Sequence, residues 1–301
     1  MRPIPTIGLF TRGLENQIYN YKKYGYIIVK RNSLISTALV NKSKDDILSY
    51  FNSIERKWSY RFWRHFNHVN SQKRRHSIEL PSNITSVQTL LQLSIGSIRN
   101  LLESQLCQNS PLVEMSAVIS KPGSNDQSIH SDISCDINSD LISCFVAMQK
   151  IRLENGPTYL YSESHTNDFH KYRDSIVPKS PQSTSTYYNN DGSLDEEEQQ
   201  PRSNDDELLN IDIDLRKKNE MINTSNPVAA TLDIGDILIF NAKIFHFGSA
   251  NISTVDRLLM SFSFQKLDLN GDYIPIKGFT YHLSNSMKNE NKILKHYPNI
   301  E

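Results

Sequence analysis

The sequence predicts a mainly β fold with flanking helices (α+β), closed into a double-stranded β-helix, the jelly-roll arrangement. Three observations carry that expectation. The stretch Arg257–Gln265 alternates strictly, with Leu258, Met260, Phe262 and Phe264 on one face and Arg257, Leu259, Ser261, Ser263 and Gln265 on the other. Such a pattern reads as a half-buried strand with a mostly polar second face. Further short strand-like segments follow one another from about position 113. His130 and Asp132 stand two apart, and His246 lies far downstream, so one site can gather them only if a late strand lies beside an early one. Antiparallel jelly rolls provide that closure.

The elements follow in order. Leu14, Ile18 and Tyr21 sit at helical spacing, and Gly25 is placed to stop that helix before a strand over 26–30. A second helix is expected near 45–51. Trp58, Phe62 and Phe66 recur at helical spacing in a stretch from Arg56 to Phe66 that interleaves basic residues with aromatics. That makes a packing stripe with arginines on its wet side, and the alternative is a surface that stacks on nucleic acid or an acidic substrate. Lys73-Arg74-Arg75-His76 reads as an exposed loop. After it, Val87, Leu90, Leu91, Ile98, Leu101 and Leu102 mark a long amphipathic helix. Strands are expected over 113–120, 128–133, 141–149, 158–161, 230–233, 237–240 and 257–265.

Between the fourth and fifth of these strands lies a polar segment, 172–224, rich in Ser, Asn, Asp, Glu and Gln and carrying Asp195-Glu196-Glu197-Glu198. It holds too little apolar surface to offset its ordering entropy. The expectation is a single domain over 1–301 with a largely disordered insertion at 172–224, whose ends have the alternative role of a partial lid.

Composition narrows the function classes. The 301 residues carry 33 basic and 33 acidic side chains, and the pI is near 7.1. Balanced charge argues against a nucleic-acid or membrane-surface protein. Three cysteines, Cys107, Cys135 and Cys144, are odd in number and lack Cys-x-x-Cys spacing, which suggests neither a disulfide framework nor a zinc knuckle. With no apolar run of signal-peptide or membrane-spanning kind and no Ser-Lys-Leu tail, the expected location is cytoplasmic.

Chemistry enters with the histidines. Side chains at i and i+2 of a strand share a face, so His130 and Asp132 aim at one point. Two imidazoles and one carboxylate form the facial triad that holds non-haem Fe(II) and leaves adjacent positions open for a bidentate keto acid and O2. Such a keto acid carries a second carboxylate that must be neutralised in the pocket. Arg257 suits that task, because a planar guanidinium meets a carboxylate bidentately. If Arg257 faces the pocket, Ser261 and Ser263 line it too.

The ordered motifs resemble the phytanoyl-CoA dioxygenase family of Fe(II)/2-oxoglutarate oxygenases. They are the helix-then-strand opening from Leu14 to Val29, Pro122-Gly-Ser124, Gln127-x-x-His130-x-Asp132, Asn155-Gly-Pro157-Thr158 with Ser164-His165 following, Gly235-Asp236-x-Leu238-x-Phe240, and His246-x-Gly248-x-x-Asn251 before Arg257. The resemblance implies a cupin-like barrel in which His130, Asp132 and His246 bind iron and Arg257 binds the co-substrate 2-oxoglutarate. Gln127, Gln149 and Ser263 are carried as further co-substrate-pocket residues. At Ser162-Glu163-Ser164-His165 the chain departs from the family, which tends to have a Pro-Gly turn there. His165 and His170 have two readings, loop histidines in water or visitors to the site. Retention of Asp132 favours hydroxylation over halogenation. The implied activity is hydroxylation of a small-molecule or lipid-like substrate with conversion of 2-oxoglutarate to succinate. The alternatives are a catalytically inactive jelly-roll binding module and a nucleic-acid or protein modifier docking through residues 56–76.

Overall fold

A computed structural model describes residues 13–57, 74–133, 140–166, 226–268, 270–272 and 292–299. Two compact units divide the chain, one formed by residues 1–166 and 227–301 and the other by 167–226. The polar segment 172–224, His170, Cys135 and the aromatic stripe of Trp58, Phe62 and Phe66 lie outside the described residues.

Period-two alternation builds the centre of the molecule. Among the described residues, nine strands pair antiparallel in two sheets. They are β1 (Tyr26–Val29), β2 (Arg75–Glu79), β3 (Leu112–Ser120), β4 (Leu141–Ala147), β5 (Thr158–Leu160), β6 (Val228–Ala230), β7 (Ile237–Asn241), β8 (His246–Gly248) and β9 (Arg257–Gln265). The larger sheet runs β1-β7-β4-β9-β3-β2 and the smaller β6-β5-β8. This is the jelly roll the sequence predicts, with early and late strands interleaved as closure requires.

Among the described residues, three helices cover one face of the larger sheet: α1 (Leu14–Tyr24), α2 (Thr37–Lys57) and α3 (Thr85–Gln105). Gly25 ends α1 in the left-handed conformation at φ 83°, donating its N–H to the Tyr21 carbonyl at 2.8 Å. Leu90, Ile95 and Leu102 of α3 and Ile47 and Phe51 of α2 pack in one core with Leu258, Met260, Phe262 and Phe264 of β9. The opposite face of β9 closes the barrel interior, where Leu259 packs with Ala147, Leu238 and Phe240. All nine residues of β9 are therefore buried. The expected half-buried strand is corrected, because the barrel covers its polar face as the helices cover its apolar one.

Other boundaries differ too, α2 being longer than the helix expected near 45–51 and β4 ending at Ala147 instead of 149. Residues 128–133 form no strand. His130 makes a single bridge to His246, after which the N–H groups of Asp132 and Ile133 share the Ala242 carbonyl at 2.9 and 3.2 Å, and the chain bends away from the ladder. The strand expected over 230–233 lies instead at Val228–Ala230, and Leu232 makes a separate bridge to Ile151. Arg75 opens β2 instead of sitting in an exposed loop, and it is 6% exposed.

Motif residues hold the turns. Asp236 is buried and accepts hydrogen bonds from Lys30 Nζ (2.7 Å), the Asp233 N–H (2.9 Å) and the Arg31 N–H (3.2 Å), which fixes the entry to β7. Asn251 donates from Nδ2 to the carbonyls of Ser120 and Val255, both at 2.8 Å, which ties the end of β3 to the approach of β9. Where the family tends to place Gly, Glu163 takes φ 67°. For a residue with a Cβ that conformation costs about 1–2 kcal/mol.

Candidate metal centre and co-substrate pocket

The bridge between His130 and His246 is the base of the site. Each N–H donates to the other's carbonyl, at 3.0 and 2.8 Å, so the two rings lie beside one another with centroids 4.4 Å apart. His130 Nδ1 lies 2.8 Å from the Ser128 carbonyl and His246 Nδ1 lies 3.0 Å from that of Ile244. These contacts assign the ring proton to Nδ1 in both and leave each Nε2 lone pair free to bind a metal. The bend at Asp132 sets its Oδ1 3.8 Å from His130 Nε2 and 3.6 Å from His246 Nε2. Donor atoms of all three lie within 4.8 Å of one another. Convergence here comes from a bridge plus a bend, not from strand alternation.

Electrostatics prepares these ligands. Burial, then the neighbouring His130, pushes His246 down to about 3, so its imidazole is neutral and its lone pair available. Burial raises the Asp132 carboxyl, with His130 pulling the other way. A divalent cation would reverse that penalty by supplying the missing positive charge. The Phe240 ring, 5.1 Å from that of His246, forms an apolar wall beside the site. Two imidazole nitrogens and one carboxylate on one side of an ion suit non-haem iron with open positions.

At the far end of β9 the inner face becomes cationic. Arg75, Ser120 and Arg257 are register neighbours across β2, β3 and β9. Arg257 is 1% exposed. It donates from Nη1 to the Gly156 carbonyl at 2.5 Å and from Nη2 to Ser120 Oγ at 2.9 Å, while its Nε has no partner. Arg75 Nη2 reaches the carbonyls of Ser249 (2.9 Å), Asn125 (3.0 Å) and Gly248 (3.3 Å), while its Nε and Nη1 are buried without partners. Burial pulls Arg257 well below its usual range and Arg75 adds to the effect. Arg75 is lowered to about 10 by burial, with Asp126 opposing.

Among the described residues neither guanidinium has a carboxylate in ion-pair contact. Unpaired buried charges are costly, and the orphaned N–H groups suit a bound carboxylate. The residues therefore fit the distal carboxylate of 2-oxoglutarate.

Two glycines make this pocket possible. Gly156 of the Asn-Gly-Pro-Thr motif adopts φ 77°, and a Cβ there would lie 2.8 Å from the Ala250 carbonyl. Its own carbonyl is the acceptor for Arg257. Gly248 lets the Arg75 side chain cross β8, since a Cβ would strike Arg75 Nη1 and lie 2.6 Å from Gln127 Oε1.

The remaining expected residues divide. Gln127 lies against Gly248, whose N–H donates to its Oε1 at 2.9 Å. Gln149 Nε2 donates to the Asp256 carbonyl at 2.6 Å, one residue before Arg257, and its Oε1 is buried without a partner. Ser263 is not brought to Arg257. It sits six residues along the same strand, ~20 Å away at strand rise, with its hydroxyl on Glu114 Oε2 at 2.6 Å. His165 packs at the end of α1, its Nε2 3.1 Å from the Lys22 carbonyl. Arg75 is the residue the sequence reading missed. Its signal was the alternation of Arg75, Ser77 and Glu79 against His76, Ile78 and Leu80, hidden by the basic run before it.

The chain belongs to the phytanoyl-CoA dioxygenase (PhyH) family, whose profile matches residues 21–258. With the His130, Asp132 and His246 cluster, membership defines an Fe(II)/2-oxoglutarate oxygenase-type protein whose cofactor set is iron, 2-oxoglutarate and O2. Among solved structures, the fold is similar to SnoK, a non-haem α-ketoglutarate-dependent carbocyclase from nogalamycin biosynthesis, with TM-score 0.51 and 12% identity over 88% of each chain. It is also similar to AviO1 from Streptomyces viridochromogenes Tue57, with TM-score 0.51 and 10% identity over 88% of this chain and 99% of that one. No curated protein sequence matches. No helix among the described residues is long and apolar enough to cross a membrane.

Proposed function

We propose that this protein hydroxylates an unactivated C–H bond of a small-molecule or lipid-like substrate, with 2-oxoglutarate and O2 consumed and succinate and CO2 released. The observation that carries the reading is the pairing of a converging His130–Asp132–His246 donor set with the unpartnered guanidinium atoms of Arg257 and Arg75 on the same barrel interior. When bound, iron with 2-oxoglutarate and O2 supplies the oxidising power for C–H cleavage.

The chain's own residues do the rest. His130 and His246 present Nε2, held in orientation by the Ser128 and Ile244 carbonyls. Asp132 supplies the single anionic ligand. Arg257 and Arg75 orient the co-substrate through its far carboxylate, and Ser120 keeps the Arg257 fork in plane. Phe240 excludes water beside His246. Fold does not fix the outcome of the oxidation, as the carbocyclase SnoK illustrates. Product mass separates the two, since hydroxylation adds one oxygen and ring closure removes two hydrogens.

The deciding experiment is anaerobic titration of the purified chain with Fe(II) and 2-oxoglutarate, following the visible metal-to-ligand charge-transfer band. Wild type is expected to show the band, and His246→Ala and Arg257→Ala to lose it. A wild type without the band overturns the reading and leaves the jelly roll as a binding module.

A further inference from the structure

We infer that Glu114 recognises a cationic amine on the substrate, at the end of the barrel opposite the arginines. Glu114 is half-buried on the inner face of β3 and is held by hydroxyls from two strands. Ser116 Oγ donates to Oε1 at 2.7 Å, Ser261 Oγ to Oε1 at 3.2 Å, and Ser263 Oγ to Oε2 at 2.6 Å. Ser143 Oγ stands 3.2 Å behind Ser263. All four serines are 0–2% exposed. A carboxylate offers about four acceptor positions, so roughly one remains for a ligand.

Every donor on this carboxylate is neutral, and no cation pairs with it among the described residues. The lysines at this end are engaged elsewhere, with Lys243 and Lys266 on Asp140 at 3.3 and 3.7 Å. Hydroxyls orient the charge without cancelling it. An ammonium therefore gains more here than a neutral hydroxyl, because hydrogen bonds between two charged groups are the stronger kind.

Position ties Glu114 to the metal side of the pocket. Its neighbour Val113 packs with Ile133, Leu141 and Ala242, and the Ala242 carbonyl holds the N–H of Asp132. Ser143 pairs across the sheet with Phe240, whose ring lies 5.1 Å from His246. The arginines mark the co-substrate end of β9, and Glu114 marks the other. Its ligand is the substrate of the proposed oxygenase, so the role rests on that reading.

The test uses paired n-alkylamines and n-alkanols, hexyl to dodecyl, titrated calorimetrically at pH 7.5 into the full chain held anaerobically with Fe(II) and 2-oxoglutarate. At that pH the amines are cationic. Wild type is expected to bind each amine about tenfold or more tighter than the matched alcohol. Glu114→Gln should erase the difference while leaving the charge-transfer band unchanged, and Ser263→Ala should reduce it. Equal affinities, no binding of either series, or a preference that survives Glu114→Gln would each overturn the assignment. Loss of the band in wild type would sink the oxygenase reading separately, because the amine preference is read without turnover.

Discussion

The two ends of the barrel's inner face are electrostatic opposites. Among the described residues, Arg75 and Arg257 lie buried at one end without an acid in ion-pair contact, and at the other Glu114 lies half-buried among serines without a cation. Between them runs an apolar row, Val118, Leu259 and Ala147, in register across β3, β9 and β4. Placed together, these charges would neutralise each other and the protein would gain a salt bridge. Held apart, each keeps its field for a ligand, at a cost in stability that a structural role alone would not justify. On the proposed readings, the difference assigns an anion to the arginines and a cation to the glutamate.

The largest effect should come from breaking the cationic end. Arg257→Met is expected to weaken 2-oxoglutarate binding on the order of 100-fold or more, the usual consequence of removing one partner of a buried charge pair. Calorimetric titration of 2-oxoglutarate checks it, and Glu114→Gln in the same assay should change nothing. If both variants lose the co-substrate equally, the two ends are not separate.

Next comes the stability signature that distinguishes a ligand site from a structural one. In wild type, 2-oxoglutarate at 100 times its dissociation constant should add about 2.7 kcal/mol of apparent stability. Arg75→Met should leave the ligand-free melting temperature unchanged or raise it, since an unpaired buried charge is replaced by an apolar chain. It should also shrink the ligand-induced rise. A marked fall in ligand-free stability would mean that Arg75 holds the loops at Asn125 and Ser249 together and little else.

Gly248→Ala approaches the same end through the backbone. The added methyl meets Arg75 Nη1 and Gln127 Oε1, and overpacking of this kind costs about 1–3 kcal/mol. The displaced guanidinium should weaken 2-oxoglutarate about tenfold, the effect of about one hydrogen bond to a charged group. Thermal melts with and without the co-substrate read both. A variant that loses stability but keeps full affinity would place Arg75 outside the pocket.

What was legible in the sequence follows from which residue types have few ordinary uses in combination. The convergence of His130, Asp132 and His246 was readable because a facial triad demands those side chains, and Arg257 stood out as the one cation in an alternating strand. The strands around them were readable because alternation is strong in β3, β4, β7 and β9. The strand over 128–133 was misread, since its course depends on the Ala242 carbonyl taking two N–H groups, which no local pattern announces. Arg75 was hidden because a run of basic residues reads as a solvated loop. Glu114 was passed over because a lone glutamate in a strand reads as solvent-facing. Only the register of β3 against β9 sets it among three serines distributed along the sequence at 116, 261 and 263.

The smallest effect concerns the loop where the chain departs from its family. Glu163 holds φ 67° with its N–H on the Tyr24 carbonyl at 3.0 Å, and Ser164 beside it is fully buried, its Oγ accepting the Phe245 N–H at 2.8 Å. A residue with a Cβ holds a left-handed conformation here, so strain of about 1 kcal/mol is expected at this one residue. Glu163→Gly should relieve it and raise the melting temperature by about 2 °C for a chain of this size. Neither 2-oxoglutarate affinity nor amine preference should move, since the residue touches neither charged end. A drop in stability would show instead that unfolded-state entropy, which glycine increases, outweighs the left-handed strain here.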